Sequence, residues 1–294
     1  MELFFMSLTT GVMVGGIYAL VALGWVLIYK CSGVLNLAMG ELTLIGAYVT
    51  YMFHQMGVPF FFAVLLTLLV GIILGFLTER VFLDKLIGEP ILTVIMVTVG
   101  LSFFFKGAAQ FIWGSDTRVF TPPVFSIKPL EVGFLMISPV YLWSFILAIV
   151  LLIVFVAFFK YTRWGLSMQA TADDETAALS LGVSARFVYA AAWAIAFMSA
   201  GVGGALLGNI NGINISVGYL GLLVLPAVVL GGLNSVPGAI VGGILIGILQ
   251  NFAGTYLDQF FPGGVKEIAP FVFMVVFLLF KPYGIWGWER IERV

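Results

Sequence analysis

Water is a poor home for most of this chain. Residues 4–29, 141–159 and 187–208 each run without a single Asp, Glu, Lys or Arg. Each matches the roughly 20 apolar residues that carry a helix across a bilayer. Backbone in hydrocarbon must satisfy its own N–H and C=O groups, which leaves helices as the solution for such runs. The fold class that follows is all-α, a polytopic transmembrane helix bundle. Charged residues are 9% and hydrophobic residues 62% of the 294, and mean hydropathy is +1.16. A soluble domain carries about 25% charge. The apolar length, roughly 180–200 residues, predicts eight to ten spans, one or two of them broken or re-entrant. No polar stretch is long enough for a core of its own, so residues 1–294 are expected to form a single transmembrane domain.

In order, spans are expected over about residues 4–29, 34–53, 60–78, 91–113, 141–159, 187–208, 239–256 and 268–280. Gly11 and Gly15 give the first a G-x-x-x-G packing face. Glu2 and the lack of a basic start do not suit a cleavable leader, so the first span reads as retained. Residues 79–89 read as a charged loop and 114–139 as a connection on the membrane surface. Residues 217–230 form a further apolar piece, short for a crossing, that reads as broken or re-entrant. The positive-inside rule favours a crossing there. Lys30, Arg80, Lys85, Lys160, Arg163, Arg186, Lys281, Arg290 and Arg293, nine of the 13 cations, then share one side. The N-terminus is outside and the C-terminus inside, with nine crossings; a re-entrant piece gives eight. Trp113, Trp164, Trp286 and Trp288 fall near span ends, as aromatic anchors do.

One stretch does not suit a bilayer. KYTRWGLSMQATADDETAALSLGVSAR, residues 160–186, holds three cations and the adjacent anions Asp173, Asp174 and Glu175. Thr171 and Asp174 have capping-box spacing, Asp173 is a competing N-cap, and Gly182 suits the stop of a short helix. Ala177, Ala178 and Leu181 then give that helix one small apolar face. Such a segment is either a solvated loop or a handle for another protein.

Three other features are candidates. In VLNLAMGELTLIGAY, residues 34–48, Asn36 is placed to cap a helix start, Gly40 to admit a neighbour, and Glu41 sits near the inner end of an apolar span. A carboxylate facing lipid costs about 2.5–3.5 kcal/mol at a span's centre, so Glu41 is expected to face protein or water. It either fastens helices together or lies on a pathway. In GGLNSVPGAIVGG, residues 231–243, Pro237 fits the first turn of a helix capped by Asn234 or Ser235, and Gly238, Gly242 and Gly243 permit close packing. N-x-x-x-G occurs at Asn36–Gly40 and again at Asn234–Gly238, a trace that a structural repeat would leave. Lys106, well inside a span, either snorkels to the outer surface or attracts an anionic substrate.

T-R-W-G followed by A-x-x-D-x-x-x-A-x-x-x-G resembles the cytoplasmic coupling segment of ABC-importer permeases. More narrowly it is similar to the shorter permease of the branched-chain amino-acid importers, with matching positions Gly165, Ala170, Asp173, Ala177, Leu181 and Gly182, and Asp174 beside them. Asn36, Ala38, Gly40, Glu41, Gly46, Ala47 and Tyr48 resemble that family's N-x-A-x-G-E and G-A-Y pattern. Met39 stands where the family usually has His, so no imidazole role carries over. Residues 231–239 resemble its G-G-x-x-S-x-P-G-A signature. The resemblance implies a permease subunit in a bacterial or archaeal inner membrane. It implies a homologous second permease, two ATP-binding subunits that hold the ATP and Mg, and an extracytoplasmic solute-binding protein as partners. The work of ATP enters through residues 160–186. The implied cargo is a small polar solute, branched-chain amino acids first, with urea and other small amides or acids also within the family.

Other chemistry is missing from the sequence. There is no P-loop, so ATP is not bound by that route. One His excludes H-E-x-x-H, no Cys/His cluster suggests a metal, and Cys31 has no disulfide partner. Net charge of −1 argues against nucleic acid. The competing reading is a proton-coupled secondary transporter with Glu41 as its relay. It accounts for Glu41 but not for the polar segment.

Overall fold

The computed structural model describes residues 1–86, 89–126, 128–133, 135–261 and 264–287. Trp288, Arg290 and Arg293 lie outside them. Helices dominate: α1 (Glu2–Ser32), α2 (Met39–Gln55), α3 (Phe60–Thr78), α4 (Ile91–Trp113), α5 (Pro139–Tyr161), α6 (Arg163–Asp173), α7 (Glu175–Ser180), α8 (Ala185–Asn211), α9 (Ser216–Leu222), α10 (Leu225–Gly231), α11 (Val236–Tyr256) and α12 (Val265–Phe280). Residues 114–138 hold a small antiparallel hairpin, β1 (Leu130–Val132) with β2 (Leu135–Ile137).

Among the described residues, six helices are long and apolar enough to cross a membrane unaided: α1, α3 with its extension to Leu86, α4, α5, α8 and α11. The α2 helix, α12 and the broken segment Ser216–Gly231 are shorter. The second span thus starts at Met39, not near residue 34, because Gly33 ends α1 in the left-handed conformation (φ 67°) and residues 34–38 form a turn. That turn is tucked inside the bundle, where Thr98 of α4 accepts from Leu37 N and donates to Leu35 O. Residues 79–86 are not a loop. They extend α3 as one wider helical turn, Glu79–Leu83, and one tighter turn, Asp84–Leu86.

The central pillar is α1, and small residues make it one. A Cβ on Gly11 would stand 2.7 Å from the Ile248 Cα, and one on Gly15 2.6 Å from the Ile244 Cα. The expected G-x-x-x-G face therefore binds α11, at backbone-to-backbone distance. The numbers run in opposite directions, so α1 and α11 are antiparallel. Gly24 of α1 meets Ala196 of α8 while Gly203 meets Val21, which makes α1 and α8 antiparallel too. Gly71 and Gly75 of α3 meet Met198 and Ala194 in the same reversed order.

These directions sort the chain ends. Lys30, Lys160, Gln169, Ser235 and Trp286 line one cavity of about 360 Å³ at one end of the bundle. At the other end Arg118 and Ile213 exchange two backbone hydrogen bonds of 2.8 and 2.7 Å, and Trp113 stacks on Tyr48 at 5.1 Å. The broken segment α9–α10 leads from the second end to the first. Past α10, Ile285 N donates to Leu230 O (2.8 Å) and Trp286 N to Gly231 O (3.1 Å).

Candidate functional site

The polar segment begins where α5 stops. Thr162 turns the chain: its hydroxyl donates to Phe158 O (2.7 Å) and accepts from Gly165 N (3.1 Å), capping α6. Gly165 is required by the turn, because a Cβ there would lie 2.5 Å from the Phe159 Cα. Gln169 Nε2 then donates to Phe159 O at 2.7 Å, and Trp164 lies on Phe187 of α8 at 4.3 Å. Met168 and Thr171 are buried. The base of the segment is thus built into α5 and α8.

The expected capping box is not formed. Thr171 sits inside α6 and donates to Ser167 O, and Asp173 is the last residue of α6. Asp174 breaks the segment into two helices and is itself the cap of α7, accepting from Ala177 N at 2.9 Å. Two helices replace the single one expected, because an Asp that holds the N–H three residues on competes with helix continuation. Gly182 ends α7 with φ 86°, as expected, and Val183 N closes onto Ala178 O at 3.0 Å. The small apolar face is divided. Ala178 points inward and is buried, whereas Ala177 and Leu181, one turn apart, point outward with Ala170, Asp173 and Asp174. Leu181 is 84% exposed. Arg186 pairs with Asp84 at 3.0 Å and ties the segment to the extension of α3, though its exposure keeps that pair worth about 0–1 kcal/mol.

A second polar group lies inside the bundle, around the start of α2. Asn36 is 1% exposed and its Oδ1 accepts from Ala38 N at 3.0 Å. It therefore folds the turn and does not cap α2, whose cap residue is Ala38. Gly40 lies against Gly218 O of α9, and Thr43 donates to Gly40 O and reaches Val217 O at 3.3 Å. Glu41 is buried and faces protein as expected, with Ser102 of α4 beside it and α9 over it, a Cβ on Gly218 standing 3.8 Å from its Oε1. Lys106 is partly exposed, and its Nζ is 5.2 Å from the centre of the Tyr219 ring on α9. Gly40, Glu41 and Lys106 thus all border α9, Asn36 folds the turn that precedes them, and Asn234 and Ser235 line the cavity at the Lys30 end. Ser235 is the cap of α11, accepting from Gly238 N at 3.1 Å. Both N-x-x-x-G stretches lead into a helix whose glycine touches the broken segment, Gly40 on α9 and Gly238 on α10.

Ser102 and Tyr219 were not singled out from the sequence. Ser102 stands one turn before Lys106 on α4, a spacing that could have revealed it. Tyr219 comes from a distant stretch, and no local pattern marks it.

Comparison with known proteins bears on the whole chain. The family described as branched-chain amino acid transport system / permease component matches residues 7–280. The high-affinity branched-chain amino acid transport system permease protein LivH of Escherichia coli K12 is 29% identical over 306 residues, covering 99% of this chain and 98% of its own. The corresponding BraD of Pseudomonas aeruginosa is 30% identical over 303 residues, covering 98% and 97%. Among solved structures, PsaBC from Streptococcus pneumoniae in complex with Fab superposes with a TM-score of 0.50 at 15% identity, over 95% of this chain and 91% of that one, a likeness of fold alone.

Proposed function

The chain belongs to the branched-chain amino acid transport system permease family, and from that premise we propose that it imports a small polar solute with ATP hydrolysed by partner subunits. Branched-chain amino acids are the first choice of cargo. The partners are a homologous second permease, two ATP-binding subunits that hold ATP and Mg, and an extracytoplasmic solute-binding protein. The membrane is the inner membrane of a bacterium or archaeon, and the cavity end with Lys30 and Lys160 faces the cytoplasm.

The observation that carries this reading is the α6–α7 segment. It is anchored through Gly165, Gln169 and Trp164 to two long helices, yet presents Ala170, Asp173, Asp174, Ala177 and Leu181 outward. A lever needs that combination: a fixed base and an exposed tip that a partner can push. Ala177→Arg tests it, because Ala177 is exposed and the change leaves the bundle intact. In the assembled transporter, solute uptake should fall while the protein stays in the membrane and ATP hydrolysis continues uncoupled. Normal transport by this variant removes the docking role.

The helix directions bear on the number of crossings. The segment α9–α10 joins the two ends of the bundle, and α11 is antiparallel to α1, which supports nine crossings with the N-terminus outside. A proton-coupled transporter with Glu41 as relay remains the alternative reading, favoured by the buried Glu41 carboxylate. Uptake that survives ATP depletion but stops with an uncoupler would select it.

A further inference from the structure

Glu41 and Lys106 are opposite charges held in one notch without touching. Both border α9 at consecutive residues: a Cβ on Gly218 would stand 3.8 Å from the Glu41 Oε1, and the Lys106 Nζ lies 5.2 Å from the centre of the Tyr219 ring. Yet among the described residues the ion pair within 4 Å is Arg186–Asp84 alone. Lys106 lies over the Tyr219 ring instead, which leaves its ammonium N–H donors available. Glu41 is 7% exposed, and its Oε2 has no hydrogen-bond partner. A buried carboxylate oxygen without a donor is costly, and a group in this state is suited to receive one.

The surface around Lys106 mixes polar and apolar side chains. The outward side of α3 is Phe61, Phe62, Leu65, Leu69 and Ile73, all apolar. On the α4–α9 face Lys106 and a Tyr219 that is 61% exposed stand beside the exposed Phe103 and Phe104. A lysine turned to acyl chains costs about 2.5–3.5 kcal/mol at a span's centre, so the Lys106 ammonium is expected to meet protein or water. The notch also lies where two interrupted stretches meet. The buried turn 34–38 precedes α2, and the seven-residue α9 covers Glu41, with a Cβ on Gly218 standing 3.8 Å from Oε1. Interrupted helices of this kind supply polar backbone and movable covers at solute sites.

We propose that Lys106 and Glu41 are the two poles of a zwitterion subsite: Lys106 takes the carboxylate of an amino acid, and Glu41, when α9 moves aside, takes its ammonium. Ser102 positions the carboxylate of Glu41, and Tyr219 holds Lys106 toward the open face. Two opposite charges kept apart select a solute that carries both signs over a simple amine, acid or amide. The assignment rests on reading the chain as an amino-acid importer.

The test uses the complete transporter, with its second permease, ATP-binding subunits and binding protein, reconstituted and supplied with labelled leucine. Lys106→Gln should cut ATP-driven leucine uptake by about tenfold to a hundredfold, the loss of one charge-assisted contact. Lys106→Arg should recover most of it. The decisive variant is E41Q/K106Q, which leaves no uncompensated charge, so the complex should still assemble, as read by copurification of the ATP-binding subunits. It should transport leucine no better than Lys106→Gln alone. If the two charges only neutralise each other, E41Q/K106Q transports like the parent, and the subsite is overturned. Normal uptake by Lys106→Gln overturns it equally. A parent complex with no ATP-driven leucine uptake instead overturns the cargo reading on which the subsite rests.

Discussion

Gly242 has the Ala227 carbonyl oxygen where a side chain would be, and Gly243 has the Ala19 backbone, a Cβ there standing 2.5 Å from Ala19 N. Both pack α11 against neighbours so closely that hydrogen is the only side chain that fits. Gly242→Leu should therefore cost more than the roughly 1–3 kcal/mol of ordinary overpacking, because backbone and not a flexible side chain must give way. The expected result is loss of the monodisperse peak in detergent and of assembly with partners. Gly100→Ala is the control: nothing lies within 4 Å of its Cβ position, and alanine favours the helix by about 1 kcal/mol, so thermal stability should hold or rise. At this scale the sequence was legible where chemistry is local. A cap from Asn234 or Ser235, which the structure settles on Ser235, the stop at Gly182 and the need to bury Glu41 all follow from residue type and spacing. Asn36 was misread because its partner, Ala38 N, belongs to a turn, and a side chain two residues before an N–H satisfies it whether or not a helix starts there.

The α7 helix is six residues long, far too short to nucleate on its own. It stands because Asp174 caps its start, Gly182 ends it and Ala178 is buried beneath it. Asp174→Ala should remove about 1 kcal/mol from an element with little to lose. Amide exchange across 175–180 should then quicken, and transport per ATP hydrolysed should fall, while assembly is unchanged. Unaltered exchange in that window would show that Asp174 does not hold α7. The existence of a polar segment was legible from six charges amid apolar runs. Its division into α6 and α7 was not, since Thr171, Asp173 and Asp174 each offer a plausible cap and only packing of Thr171 into the base chooses among them. The broken span was legible as a length too short to cross. The buried turn before α2 was not, because Val34, Leu35 and Leu37 are as apolar as the helix that follows, and hydropathy cannot tell a buried turn from a buried helix.

Helix direction is a property of the whole molecule, and it is where topology is decided. Charge counting from the sequence favoured nine crossings by placing Lys281 with Lys30 and Lys160. The packing supports the same placement by an independent route: Gly11 and Gly15 of α1 fix α11 as antiparallel to it, and Ile285 and Trp286 close on the carbonyls of α10 at the Lys30 end. A re-entrant 216–231 segment would instead put the start of α11 at the other end, away from those contacts. The consequence is measurable by side-specific labelling. Cys31 is the chain's one cysteine and is buried, so Cys31→Ser gives a quiet background. In it, Gln259→Cys, just beyond α11, should react with an impermeant maleimide added to intact spheroplasts. Lys281→Cys, just beyond α12, should react only after the membrane is opened. Both positions are exposed, so failure to react reports sidedness and not burial. The reverse pattern, with residue 281 labelled from outside and 259 protected, would establish eight crossings and place the C-terminal cations on the outer face.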